Sequence, residues 1–312
     1  MAAAHHLHGA AAARGDPRAR GDYGEDLVAF LELTKPRITQ LVVLTAAAGF
    51  YLGTRGTGGV VDVALLAHTL LGTALVAAGT NAWNQIRERD VDARMVRTRR
   101  RPLPSGRLSP RAAAWFASTI TVGGVAYLAV TVNALTAALA ALTFASYVFV
   151  YTPLKRTTSL NTLIGAVPGA LPIVGGWTAA GGRLDTAAGA LFWILFLWQL
   201  PHFLALAWLY RDDYQAAGLR MLGTDDPRGR QTGRLVLLYA LALLPVSLLP
   251  TLLGVTGATY FYGALALGLL YAAAGATLLV TATPARAWRL FFVSILYLPA
   301  LLTLMVFDKV TA

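Results

Sequence analysis

The sequence predicts an all-α, polytopic membrane protein with nine spans. Three observations lead there. The 312-residue chain is 56% hydrophobic and only 13% charged. Its apolar residues come in long uncharged runs, not in short amphipathic stretches, which is the pattern of membrane helices and not of a large soluble core. Its basic residues sort almost wholly to alternate loops.

The spans lie near residues 38–53, 63–86, 112–130, 134–151, 161–180, 186–209, 235–254, 260–281 and 290–307, and none of these segments contains Lys, Arg, Asp or Glu. Several are short, or interrupted by Gly and Pro. Of the 26 Lys and Arg, all but Arg55, Arg183 and Lys309 fall in the N-terminal tail and in the loops 87–111, 152–160, 210–234 and 282–289. The positive-inside rule places those segments in the cytoplasm, and an odd number of spans then puts the C-terminus outside. Topology and anionic lipid account for the net charge of +11, so no nucleic-acid partner is called for. Cysteine is absent, which excludes disulfides, thiolate nucleophiles and cysteine-ligated metals.

Residues 1–28 read as a disordered cytoplasmic tail and residues 29–312 as the membrane domain. The tail has no apolar core and is not a signal peptide. His5, His6 and His8 read as solvated and not as metal ligands. The Arg-Gly-Asp triplets at Arg14 and Arg20 would face the cytoplasm, so no adhesion role is assigned to them.

The second span runs out into the most informative stretch, Asn81-Ala-Trp-Asn-Gln-Ile-Arg-Glu-Arg-Asp-Val-Asp92. Asn84, Glu88 and Asp92 are four residues apart, about 400° on a helix, so they stack on one face in a ladder roughly 12 Å long. Such oxygens suit a hard divalent cation that also holds phosphate oxygens. A lipid-tailed diphosphate is the natural ligand at the mouth of a membrane. Arg97, Arg99, Arg100 and Arg101 follow and offer to clamp the remaining phosphate charge. A stop-transfer flank with surface ion pairs would also contain such arginines. Asn84 is less easily explained that way, because it lies inside the apolar segment.

The fourth span ends in Tyr151-Thr-Pro-Leu-Lys-Arg156. Tyr151 and Lys155 share a helical face, with Pro153 expected to bend it. Lys155 reads either as a point charge for a leaving diphosphate or as a snorkelling interfacial lysine. Small residues of the fifth span, from Gly165 to Gly176, predict close helix packing. The sixth span carries Gln199, Pro201 and His202. Pro201 would free backbone carbonyls. His202 and Asp213 would share a face if the helix persists, with Asp212 roughly 80° away. A buried imidazole bonded to a neighbouring helix is the alternative for His202.

Taken in order, Asn84-x3-Glu88-x3-Asp92, Arg97-Thr98, Arg101-Pro-Leu, Tyr151-x3-Lys155-Arg156, Trp-Gln-Leu-Pro-His-Phe and Arg-Asp-Asp-Tyr resemble the intramembrane prenyltransferases of the UbiA type. Within them the chain looks like the protohaem IX farnesyltransferase branch, over roughly residues 30–307. The resemblance implies a nine-helix bundle around a central cavity with cytoplasmic cap loops. It also implies farnesyl transfer from farnesyl diphosphate to the 2-vinyl group of haem B, giving haem O for terminal oxidases. By position, Asn84, Glu88 and Asp92 match the motif that holds Mg2+ and diphosphate. Lys155 and His202 complete the catalytic candidates. Arg97, Arg101, Tyr151, Arg156, Asp212 and Asp213 are candidates for substrate binding. A haem A synthase or a terminal oxidase assembly would be a partner.

Members acting on quinone precursors place two acidic residues where this chain has Tyr210 and Tyr214, which puts a second metal ion in doubt. A quinone or chlorophyll-like acceptor is the nearest rival reading. A transporter is the next, but its intramembrane charges are missing. A structural oxidase subunit is the third, and it would not require the ladder.

Overall fold

The structure is a computed structural model that describes residues 23–54, 58–224 and 226–311. The tail histidines, both Arg-Gly-Asp triplets and Arg55 lie outside the described residues. Helices are α1 (Tyr23–Leu33), α2 (Pro36–Gly53), α3 (Val63–Asp92), α4 (Pro110–Thr131), α5 (Ala134–Ala145), a π-helical turn (Ser146–Tyr151), α6 (Thr152–Leu154), α7 (Asn161–Gly181), α8 (Thr186–Leu209), α9 (Arg211–Ala216), α10 (Arg230–Leu252), α11 (Ala258–Val280) and α12 (Pro284–Phe307). Among the described residues, eight helical segments are long and apolar enough to cross a membrane, α5 to α6 counting as one. α2 makes the ninth expected span. It is shorter, and its first turn carries Arg37 and Gln40.

Large apolar side chains such as Trp115, Val130 and Phe307 point outward, as they do when lipid is the solvent. Helix starts follow local chemistry. Asp62, Ser109, Asn133 and Asp185 each accept a backbone N–H of the first turn. Pro follows the cap in α4 and α12, where its missing N–H costs no helical bond.

Two sequence expectations need correction. The tail boundary at 28 is too late, because α1 is already helical from Tyr23. Ala29 and Leu33 give it a face that is buried on Leu103, Leu108, Ala113 and Ala117, so α1 belongs to the folded domain. The second concerns α8. It ends at Leu209, and Tyr210 leaves helical geometry with φ −104° and ψ 22°. The face shared by His202 and Asp213 is therefore broken.

The small residues of α7 do bring backbones together. A Cβ on Gly176 would lie 1.9 Å from the carbonyl oxygen of Ala46, and one on Gly49 would lie 2.0 Å from that of Ile173. Helices α2 and α7 thus meet backbone to backbone. At the end remote from the ladder, Lys309 donates to the Tyr51 carbonyl at 2.7 Å and ties the C-terminal segment to the end of α2.

Gly176→Ala should lower stability by about 1–3 kcal/mol, because backbone has to move. Gly189→Ala should be close to neutral, since nothing lies within 4 Å of its added Cβ. Thermal unfolding of both variants in the same detergent checks the contrast.

Candidate active site

α3 keeps its helix for 30 residues, well past the apolar segment, so the whole ladder stands on one regular element. Asn84 and Asp92 are 1% and 0% exposed, and Glu88 is buried as well. Each meets a cation. Lys35 Nζ donates to Asn84 Oδ1 at 2.7 Å. Lys155 Nζ donates to Glu88 Oε1 at 2.7 Å. Arg101 donates from one Nη to both carboxylate oxygens of Asp92, at 2.9 and 2.7 Å. Asn84 also donates to the Thr152 hydroxyl at 3.3 Å. The groups form one cluster: the charges of Arg101, Glu88, Lys155 and Asp92 all act on Lys35.

Burial, together with neighbouring Arg101 and Lys155, brings Lys35 down to about 7. Burial also opposes the charge on Lys155, but the Glu88 carboxylate outweighs it and holds this lysine well above the ordinary range. Lys35 takes a left-handed backbone conformation with φ 47°, unusual for a residue with a side chain. Pro36 follows it and disfavours the right-handed helical region there. This strained turn between α1 and α2 is what aims the ammonium at α3.

The first loop holds Asp92 from outside. Thr98 donates to the Asp92 carbonyl at 2.9 Å, which turns the chain so that Arg101 returns to the carboxylate. Arg107 pairs with Glu32 of α1 and keeps that carboxyl below its usual range. Val91 and Met95 pack on Ala207, Ala217, Leu219 and Met221.

An apolar cavity of about 270 Å³ opens beside the ladder, between α2, α3, α4, α5, α7 and α8. Asn81, Tyr147 and Tyr151 line it, as do Gln199 and Phe203. Pro153 does not simply bend the fourth span. The six residues before Thr152 form the π-helical turn, and Thr152 donates its hydroxyl to the Tyr147 carbonyl at 2.8 Å. Tyr147 and Tyr151 then lie with ring centroids 5.0 Å apart, and Lys155 Nζ sits 4.5 Å from the Tyr151 ring. Gln199 donates to the carbonyls of Ala166 and Leu195. A Cβ on Gly169 would come within 2.1 Å of Gln199 Oε1, so any larger residue there has to displace the amide.

Of the residues singled out from sequence, the structure gathers Asn84, Glu88, Asp92, Arg101, Tyr151 and Lys155. Arg97 is exposed and lies over the Tyr210 ring at 5.3 Å. Arg156 pairs with Asp90 at the surface. Asp212 is 88% exposed beside Arg211, and Asp213 lies on the short α9 past the break. His202 faces α12 and is not among the residues lining the cavity. His68 pairs with Tyr127 at 2.6 Å. Lys35, Thr152 and Asn81 were missed from sequence, and Thr98 was noted only as part of a motif, without a role. One signal was available: only Lys35, Lys155 and Lys309 interrupt a basic set otherwise made of arginine, and two of those three meet at the ladder.

Among the described residues, no three His, Cys, Asp or Glu converge as a ready-made metal cage. Two carboxylates and an amide oxygen at a cavity mouth still fit Mg2+, which is usually held by one or two carboxylates plus substrate phosphates.

A model of the UbiA prenyltransferase family matches residues 42–296. The chain belongs to that family. It is similar to proteins named protohaem IX farnesyltransferase from Solibacter usitatus (44% identity, 90% of this chain and 98% of that one) and Salinibacter ruber (45%, 89% and 98%). A third, from Aquifex aeolicus, is 41% identical over 93% of this chain and 99% of its own length. In fold it is similar to a solved structure of digeranylgeranylglyceryl phosphate synthase, with TM-score 0.77 and 17% identity over 91% of this chain and 98% of that one. A UbiA homologue from Archaeoglobus fulgidus bound to GPP and Mg2+ superposes with TM-score 0.64 and 16% identity, over 89% and 99% of the two chains.

Arg101→Ala should destabilise this family member by about 3 kcal/mol, because it leaves the buried Asp92 carboxylate without its partner. Arg101→Ala combined with Asp92→Asn should recover much of that loss. Thermal inactivation of the three forms in membranes measures it.

Proposed function

We propose that this enzyme transfers a farnesyl group from farnesyl diphosphate to the 2-vinyl group of haem B. The products are diphosphate and haem O, with its hydroxyethylfarnesyl side chain. The observation that carries the reading is identity above 40%, over about nine-tenths of the chain, to proteins named for that activity. The charged mouth over an apolar cavity supports the prenyl-transfer half of it.

Asn84, Glu88 and Asp92 would hold Mg2+ together with diphosphate oxygens. When bound, the ion neutralises charge that develops on the departing diphosphate. Lys35, Lys155 and Arg101 already stand around the same oxygens; Lys155 and Arg101 add fixed positive charge where the leaving group departs, and Lys35 adds a hydrogen-bond donor. The farnesyl chain lies in the apolar cavity, which keeps water from the allylic cation. The faces of Tyr147 and Tyr151 stabilise that cation as C1 opens. The vinyl group of haem attacks C1, and the resulting cation beside the porphyrin captures water and loses a proton. Arg97 sits at the rim and is assigned to the substrate's acidic groups. Arg156, Asp212 and Asp213 remain candidates only for outer contacts, given their exposure.

The cytoplasmic placement of the N-terminus and of the ladder follows from the arginine-rich loops. A haem A synthase or a terminal oxidase assembly is the proposed recipient of the product.

Haem extracted from membranes that contain the protein should gain the mass of one farnesyl group plus one hydroxyl, and haem from membranes without it should not. Hydroxybenzoate or naphthoate supplied with farnesyl diphosphate should yield no prenylated product. Glu88→Ala and Asp92→Ala should each lower turnover on the order of 10²-fold and abolish its Mg2+ dependence while still inserting in membranes. Normal turnover in both variants would remove the ladder from the chemistry.

A further inference from the structure

α8 presents two different faces. Gln199 and Phe203 line the cavity, whereas Trp198 and His202 turn toward α12. Two rings stack nearly parallel to that of His202. Trp198 is 5.6 Å away at 26°, and Phe291 is 4.8 Å away at 28°.

His202 Nδ1 lies 2.7 Å from Ser294 Oγ, and which of the two donates depends on the tautomer of the ring. Ser294 Oγ also lies 2.6 Å from the Phe291 carbonyl; with its single hydroxyl proton given there, it accepts from Nδ1–H and leaves Nε2 a bare lone pair. Nε2 bonds to no described residue. Among the described residues, Nε2 is not one of the unpartnered polar atoms sealed away from the surface, so it keeps some accessible area. The surroundings hold the ring in place. Trp198 Nε1 donates to the Ser294 carbonyl at 2.8 Å, and Tyr271 donates its hydroxyl to the Trp198 carbonyl at 3.0 Å.

We propose that His202 Nε2 is an axial ligand to the iron of the porphyrin acceptor, with Ser294 as the positioning residue that fixes its tautomer. A neutral imidazole held through its Nδ1–H, with Nε2 open in an apolar wall, is the arrangement by which histidine binds a transition metal. The placement also suits the transfer. Phe203 packs against His202 at 5.6 Å and lines the cavity from its other side. Iron held at His202 leaves the porphyrin rim, which carries the vinyl groups, free to reach past Phe203 toward the prenyl chain.

The inference rests on haem as the acceptor, and the test separates the two. The full chain in lipid nanodiscs is titrated with ferric haem B and, in parallel, with metal-free protoporphyrin IX. His202→Ala should weaken haem binding roughly 10- to 100-fold and remove the histidine-ligated Soret and EPR signature. Added imidazole should restore that signature, and binding of the metal-free porphyrin should be unchanged. Ser294→Ala should weaken haem binding about 10-fold, whereas Ser294→Thr, which keeps the hydroxyl, should match wild type. A His202→Ala protein with wild-type haem affinity and spectrum overturns the ligation and leaves the acceptor intact. So does equal weakening for both porphyrins, which marks a packing role. A wild-type protein that retains neither porphyrin overturns the acceptor reading, and the ligation with it.

Discussion

Charge at the edge of an apolar medium has to be neutralised locally, and the end of α3 shows how much of the fold that requirement organises. Water would otherwise solvate Asn84, Glu88 and Asp92; here they are buried, and breaking any one pairing leaves an uncompensated polar group. Their partners come from three separate places: the turn between α1 and α2, the short α6, and the loop after α3. Lys35 is 49 residues from Asn84, and Lys155 is 67 from Glu88. Closing the three pairs therefore fixes where α1, α2 and α6 sit relative to α3. The strained backbone at Lys35 persists because that contact holds it. Site and scaffold share these bonds, so the mouth is preorganised before any substrate arrives.

The π-helical turn before Thr152 answers a second constraint. Pro153 has no N–H and cannot continue an ordinary helical ladder. Widening the preceding turn lets the Tyr147 carbonyl take both the backbone N–H and the hydroxyl of Thr152. The extra residue in that turn also shifts the helix phase. Both tyrosines consequently line the cavity while Lys155 still reaches Glu88. Proline, threonine and lysine within four positions thus make one local solution with a functional result.

Spacing alone exposed the ladder, because four-residue repeats on a helix survive any tertiary arrangement. It exposed Lys155 and Tyr151 for the same reason. It did not single out Arg101 from its neighbours, since that choice depends on Thr98 closing a turn onto the Asp92 carbonyl. Lys35 was counted only as topological charge, as its partner lies on another helix. The face that His202 and Asp213 would share on a continuous helix does not form, and nothing in the local sequence marks Tyr210 as the break. Apolar periodicity in α1 was hidden by the charged and small residues of the tail, although Ala29 and Leu33 are fully packed.

The two faces of α8 bear on how two bulky apolar substrates meet without mixing. A prenyl chain and a porphyrin both prefer an apolar wall, and one undivided pocket would let either occupy the other's place. Gln199 and Phe203 belong to the cavity, while Trp198, His202 and Ser294 form a separate aromatic wall with α12. The division is maintained by hydrogen bonds that only backbone and side chains of this half supply: Gln199 to Ala166 and Leu195, Trp198 to Ser294, Tyr271 to Trp198. Breaking α8 at Tyr210 ends this wall near the ladder level, where Arg97 covers the Tyr210 ring. On the proposed assignments, selection between the two ligands would rest on polar chemistry at the rims, with phosphate drawn to the lysines of the mouth and iron to the imidazole of His202. The apolar surface supplies affinity to both.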